Sequence, residues 1–282
     1  MLYLLEIFVF LASIVYTFIT LAQWYSGLFR SGLAAPNASI RFTLALLPLA
    51  ALGIIVWTLR NLASFDVVED GFYLLLYAAL GLAWAFLGSI LMFAVLDLSR
   101  IDDLLVMRNP AAAIAFSCGF LAITLIYAGA NIGDGPGCWC VILAGGVGLL
   151  TWFALAYALN ILTGAFERIT IDRNVPAGIR IGAFLLAVGL ILARASAGDW
   201  TSFLHTVIEF MVGWPVLPFT VVAILIEKAF SRSSVSDTGE APAPKGIGSS
   251  ILIGVLYIAA AVIILFLLPP MVENPMYDYY GY

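Results

Sequence analysis

His205 and Glu209 lie four residues apart, so a helix carries both on one face. His205 is the single histidine of the chain. In a helix predicted over 201–227, Glu209 sits about eight residues inside the span, or roughly 12 Å deep at 1.5 Å per residue. A carboxylate at that depth is costly and by default marks a functional position. Gly213-Trp214-Pro215 and Pro218 follow closely. Each proline removes a backbone donor and crowds the carbonyl four residues earlier, so the helix is expected to break beside the acid. Ion and substrate sites of transporters are often built on such broken helices. Arg194, in the last turns of the preceding helix, completes a candidate intramembrane polar site of His205, Glu209 and Arg194. Its chemistry would be the binding of an ion or polar solute. The plainer reading has Glu209 protonated or neutralised by Arg194, Arg194 snorkelling outward and the prolines merely bending the helix.

Other chemistries find no support. Cys138-Trp139-Cys140 offers two thiols and no nearby histidine, too few ligands for a metal site, and a disulfide that tight would be strained. The third cysteine, Cys118, stands alone, so no disulfide framework is expected. No phosphate loop, dinucleotide fingerprint, serine elbow or zincin motif is present. No catalytic, cofactor-binding or metal-binding residue is therefore expected. The twelve Lys and Arg form no basic patch and the net charge is −5, which argues against a nucleic-acid partner.

The elements that would position these residues are membrane helices. Of 282 residues, 63% are hydrophobic and 10% charged, against about 25% charged in soluble domains. The mean hydropathy is +1.09. A span needs roughly 20 apolar residues, and eight segments qualify: 1–24, 40–59, 71–97, 110–130, 138–163, 177–197, 201–227 and 249–269. The first lacks a basic leader and is read as a retained helix. The breaks are turn signals such as Ala35-Pro36-Asn37 and Gly133-Asp134-Gly135-Pro136-Gly137. The fold class expected is an all-α integral membrane protein of about eight spans.

Ten of the twelve Lys and Arg fall on the first, third, fifth and seventh loops with their helix ends, leaving Arg60 and Arg194 opposite. Cationic loops stay in the cytoplasm, so both termini are predicted on the far side. Asn37-Ala38-Ser39 matches a glycosylation sequon, but it falls on the predicted cytoplasmic side.

The chain also matches itself at an offset of 65 residues. Arg108-Asn109 falls on Arg173-Asn174, Ala112 on Ala177, Ile114 on Ile179, and Gly133-Asp134 on Gly198-Asp199. A tandem repeat of two-helix units is expected, related by an axis along the membrane normal. Three regions follow: an N-terminal helix pair over 1–70, a four-helix core over 71–200 (71–135 and 136–200), and a C-terminal pair over 201–282. The last holds a mobile loop at 231–247 and a tail with four tyrosines. Among the repeated residues, Arg108 and Arg173 read as interfacial anchors, Asn109 and Asn174 as N-caps, and Asp134 and Asp199 as helix-ending residues.

The helix opening Arg173-Asn174-Val175-Pro176-Ala177-Gly178-Ile179, and its counterpart Arg108–Ile114, resemble the YjfL-like family of bacterial inner-membrane proteins. The resemblance covers roughly residues 71–200. It implies a bacterial inner membrane and a tandem two-helix core. That family has no assigned activity, so it supplies no site residues.

Two functions remain. One is a non-enzymatic structural or accessory subunit that packs against other membrane proteins or itself within the lipid bilayer, favoured by the small-residue steps Gly178/Gly182 and Gly145/Gly146/Gly148. The other is a channel or transporter for an ion or small polar solute near Glu209. No cofactor is expected for either.

Overall fold

The computed structural model describes residues 2–30, 38–233, 246–271 and 273. The turn at 35–37, most of the 231–247 loop and most of the tyrosine-bearing tail lie outside the described residues.

Every long apolar run forms a helix, because in lipid a backbone can satisfy its polar groups only within itself. Among the described residues seven helices are long and apolar enough to cross a membrane. They are α1 (Leu2–Arg30), α2 (Ala38–Asn61), α4 (Gly71–Leu96), α5 (Pro110–Gly129), α6 (Cys138–Thr163), α8 (Val175–Ala195) and α11 (Ile247–Leu267). The pair α9 (Phe203–Phe210) and α10 (Val216–Ser233), joined through a 3₁₀ turn at Met211–Gly213 and bent by 41°, makes an eighth if it counts as one broken span rather than a re-entrant loop. The bend falls on Gly213-Trp214-Pro215, where the prolines were expected to break the helix. Short α3 (Phe65–Glu69), α7 (Ala165–Thr170) and a π-helical turn at Arg100–Val106 lie between spans. No strand occurs among the described residues. The chain is an all-α multi-pass membrane protein.

Local chemistry fixes the helix starts. Asn109 caps α5, its Oδ1 accepting from the Ala111 and Ala112 amides at 3.0 and 3.2 Å. Asn174 caps α8, accepting from the Ala177 amide at 2.9 Å. Each cap satisfies donors that the first helical turn leaves orphaned, and each helix has a proline in its opening turn. The residue before each cap takes the same unusual backbone, φ +52° at both Arg108 and Arg173.

The centre of the molecule is the pair α5 and α8, the most extensive helix contact. Gly178 meets the Ala111 carbonyl, Gly189 meets Ala122, and Gly129 meets the Ala193 carbonyl. Contact positions rise together along both helices, so α5 and α8 run parallel and in step. A Cβ at Gly178 would stand 2.6 Å from the Ala111 oxygen, and one at Gly189 would stand 2.5 Å from the Ala122 Cβ. Only small residues allow backbones this close. The turns that follow the two helices also meet. The Gly198 amide donates to the Ile132 carbonyl at 2.9 Å, and the Trp200 amide to that of Asp134 at 2.7 Å.

The remaining helices are laid onto this pair. The contacts Arg180–Ser250, Ala183–Gly254 and Arg194–Pro269 rise together, so α11 runs parallel to α8. On the other flank of the pair, α2 packs against α5. The result is a row α2–α5–α8–α11. Helices α4, α6 and α10 pack across it, with α1 parallel to α4. The peripheral helices face away from the protein: the apolar windows of α1 and α11 are 17% and 22% buried, against 72% for α5. Apolar surface of that extent belongs in a lipid bilayer.

Candidate functional site

Two polar places lie at opposite ends of the bundle. The first is at the end where the turns after α5 and α8 meet, here the aspartate end. Asp66 of α3, Tyr77 of α4, Asp134, Asp199 and Glu209 border a cavity of about 60 Å³ there. Cys140, Val147, Ser196 and Phe210 also contribute to its walls. The backbone positions the acids. Asp199 Oδ1 accepts the Asp134 amide at 2.8 Å across the two turns. Asp66 Oδ1 accepts the Val67 amide at 3.0 Å. Glu209 accepts the Thr201 hydroxyl at 3.2 Å. Among the described residues no Lys, Arg or His borders the cavity.

The expected trio is not assembled. Glu209 reaches the cavity, half-buried. His205 is exposed, with Nδ1 2.7 Å from the Ser202 hydroxyl, and is not part of the cavity wall. Arg194 donates to the Pro269 carbonyl beyond the end of α11. It makes no ion pair with Glu209. The physical reason is register: Arg194 falls in the last turn of α8 on the side facing α11, whereas α9 and the following turn pack on α6 and on another side of α8. Cys138 and Cys140 are buried free thiols. Among the described residues no group of three His, Cys, Asp or Glu side chains is placed to hold a metal ion.

The second place was not expected. Near the opposite end, here the arginine end, Arg180 of α8 meets Glu227 of α10 through a double contact: Nε to Oε1 at 2.6 Å and Nη2 to Oε2 at 2.9 Å. Both residues are 2% exposed. Arg180 Nη1 donates to the Ser250 hydroxyl of α11 at 2.7 Å, and Arg168 adds a 3.0 Å contact to Glu227 Oε2. The Arg180 guanidinium also lies 4.0 Å from the centre of the Phe230 ring. One carboxylate thus ties α7, α8 and α10 together, and Arg180 extends the tie to α11. In the sequence Arg180 and Arg168 stand only among the ten charges that set topology, and Glu227 ends the helix predicted over 201–227. The signal that would have found them is a charge flanked by apolar residues, Gly178-Ile179-Arg180-Ile181 against Leu225-Ile226-Glu227.

Between the two ends, polar side chains in the spans bond neighbouring helices. Trp24 Nε1 donates to the Leu44 carbonyl and Trp152 Nε1 to that of Leu185, each at 2.9 Å. The Tyr127 hydroxyl donates to the Tyr77 carbonyl at 2.7 Å, and the Thr17 hydroxyl to that of Ala79 at 3.2 Å.

No significant match joins the chain to a curated protein or to a solved structure. Residues 66–195, from α3 to the end of α8, match the model of a family described as Domain of Unknown Function (DUF350).

Proposed function

We propose that this chain is a non-enzymatic structural or accessory subunit of a bacterial inner membrane, with both termini on the periplasmic side. The observation that carries the reading is how the spans use their polar groups. Trp24, Trp152, Tyr127 and Thr17 each bond a carbonyl of an adjacent helix, and Arg180 bonds both Glu227 and Ser250 and so joins three helices. These bonds fix helix positions. Together with the glycine contacts of α5 and α8 they make a stiff body whose outer helices present apolar faces. Such a body suits packing against other membrane proteins or further copies of itself. The matching caps, φ values and turns of Arg108–Asp134 and Arg173–Asp199 support a duplicated origin for the core. The test is extraction of the untagged chain from its native membrane in mild detergent, followed by measurement of particle mass and composition. Stoichiometric foreign subunits, or a defined homo-oligomer, are expected. A bare monomer overturns the reading.

A second reading, a channel or transporter, is favoured by the cavity at the α9–α10 bend, which Glu209 borders. It requires solute flux in proteoliposomes that Glu209→Gln abolishes.

A further inference from the structure

Arg100 is a cation that the described residues leave uncompensated. It opens the π-helical turn at the arginine end of the bundle. Its guanidinium lies 4.5 Å from the centre of the Trp24 ring. That indole is itself fixed, buried with Nε1 on the Leu44 carbonyl, so the cation rests on a rigid aromatic face. No hydrogen bond or ion pair of the guanidinium occurs among the described residues, and Nη1 is shut off from solvent without a partner. The acids nearest in sequence are turned elsewhere. Asp102 Oδ2 accepts the Ser99 hydroxyl at 3.0 Å, and Asp103 Oδ2 accepts the Ser99 amide at 2.8 Å. Burial lowers the Arg100 pKa from its ordinary value, with no described anion to offset the loss of water. The guanidinium stays charged all the same. A charge taken out of water is costly unless it is paired. Buried Arg180 has Glu227 for this purpose, and Arg100 has no such partner.

Arg100 also borders an open groove of about 470 Å³ between the last turns of α1 and the π-helical turn. Gln23 and Ser26 stand on the α1 wall, exposed and polar. Ile101 and Val106 stand on the other, 55% and 61% exposed. One wall can thus donate hydrogen bonds, and the other presents apolar surface. Helix α1 has 29 residues, about nine more than the hydrocarbon layer requires, so its ends reach the layer of lipid headgroups.

We propose that this groove binds the phosphodiester of an anionic phospholipid. Charge sets the sign of the ligand, because an unpaired cation in a cleft concentrates anions. Shape selects phosphate, whose oxygens match the planar fork of a guanidinium two at a time. The Gln23 amide and the Ser26 hydroxyl can donate to the oxygens that remain. The walls select a lipid over a free anion, since Ile101 and Val106 offer acyl chains an apolar surface beside the charge. One unpaired positive charge matches the single net negative charge of a lipid such as phosphatidylglycerol. The proposal does not depend on either functional reading. A scaffold and a transporter both stand among lipids, so neither a bare monomer nor a failed flux assay bears on it.

The test uses the full chain in a non-ionic maltoside detergent. Short-chain phosphatidylglycerol, short-chain phosphatidylcholine and inorganic phosphate are titrated separately, with native mass spectrometry of lipid-bound particles and the thermal midpoint as readouts. Saturable binding of phosphatidylglycerol with a rise in midpoint is expected, and weaker or absent responses to the other two. Charge-assisted hydrogen bonds are the strong ones, so Arg100→Gln is expected to weaken phosphatidylglycerol binding about ten-fold. Arg100→Lys keeps the charge without the fork and is expected to fall between. Ser26→Glu, at an exposed position on the groove wall, sets a like charge against the phosphate and serves as a second variant should Arg100→Gln fail to fold. No saturable binding overturns the proposal, as does equal binding of phosphatidylcholine or of inorganic phosphate, or full affinity in well-folded Arg100→Gln and Ser26→Glu.

Discussion

Glu227 carries one negative charge and faces two guanidinium groups, Arg180 and Arg168. Removing one partner of a buried pair leaves a charge that nothing solvates, at a cost of about 3–5 kcal/mol. Glu227→Gln is therefore expected to lower the thermal midpoint in detergent sharply, because it strands Arg180. Arg168→Ala is expected to matter much less, since the Arg168 side chain is 14% exposed and Glu227 keeps its double contact with Arg180. A larger loss from Arg168→Ala than from Glu227→Gln contradicts this hierarchy. Spacing alone brought Glu209 and His205 to notice, and Glu209 does reach a cavity. The same spacing could not foresee that Arg194 turns to Pro269, because partner choice depends on how α8 is rotated against α9 and α11. Glu227 went unremarked for a different reason. Beside Lys228 it looks like the interfacial end of a span, whereas α10 continues to Ser233 and draws the carboxylate inside.

At the scale of the helix, two kinds of residue make predictions of opposite sign. Asn109 caps α5 and also donates Nδ2 to the Ile169 carbonyl at 2.7 Å, tying the start of α5 to the end of α7. Among the described residues the Asn174 side chain does the first job alone. Loss of a cap costs about 0.5–2 kcal/mol, so Asn174→Ala is expected within that range and Asn109→Ala above it, read as shifts in unfolding midpoint. Glycines divide in the same way. Gly189→Ala pushes a methyl into Ala122 and is expected to cost about 1–3 kcal/mol through overpacking. Gly53→Ala, with open space around its Cβ, is expected to be neutral or slightly stabilising in the middle of α2. Equal effects at the two glycines would mean that the α5–α8 contact is not what holds the core. Long helices were legible because twenty apolar residues leave lipid-spanning backbone no alternative. The α9–α10 break was legible because prolines act locally. The short α3 and α7 and the π-helical turn were not, since segments of five to seven residues carry too little pattern.

At the scale of the molecule, the row α2–α5–α8–α11 is a packing result that hydropathy cannot encode, because a high mean hydropathy marks each helix as a span without naming its neighbours. Glycine position selects α8 as the partner of α5, and the Arg180–Ser250 contact binds α11 to α8. The direction of the row in the membrane is a separate matter, governed by charge. Segments 97–109 and 164–174 carry Arg100, Arg108, Arg168 and Arg173, while the turns at 130–137 and 196–202 carry Asp134 and Asp199 and no cation. Positive loops are retained in the cytoplasm, so the arginine end is expected inside and the cavity open to the outside. Single cysteines decide it, in a chain whose Cys118, Cys138 and Cys140 are first replaced by alanine. Ser202→Cys, beside the cavity, is expected to react with an impermeant maleimide on intact cells. Asp172→Cys, between α7 and α8, is expected to react only after permeabilisation. The reverse pattern would turn the arginine end outward and the carboxylate cavity toward the cytoplasm.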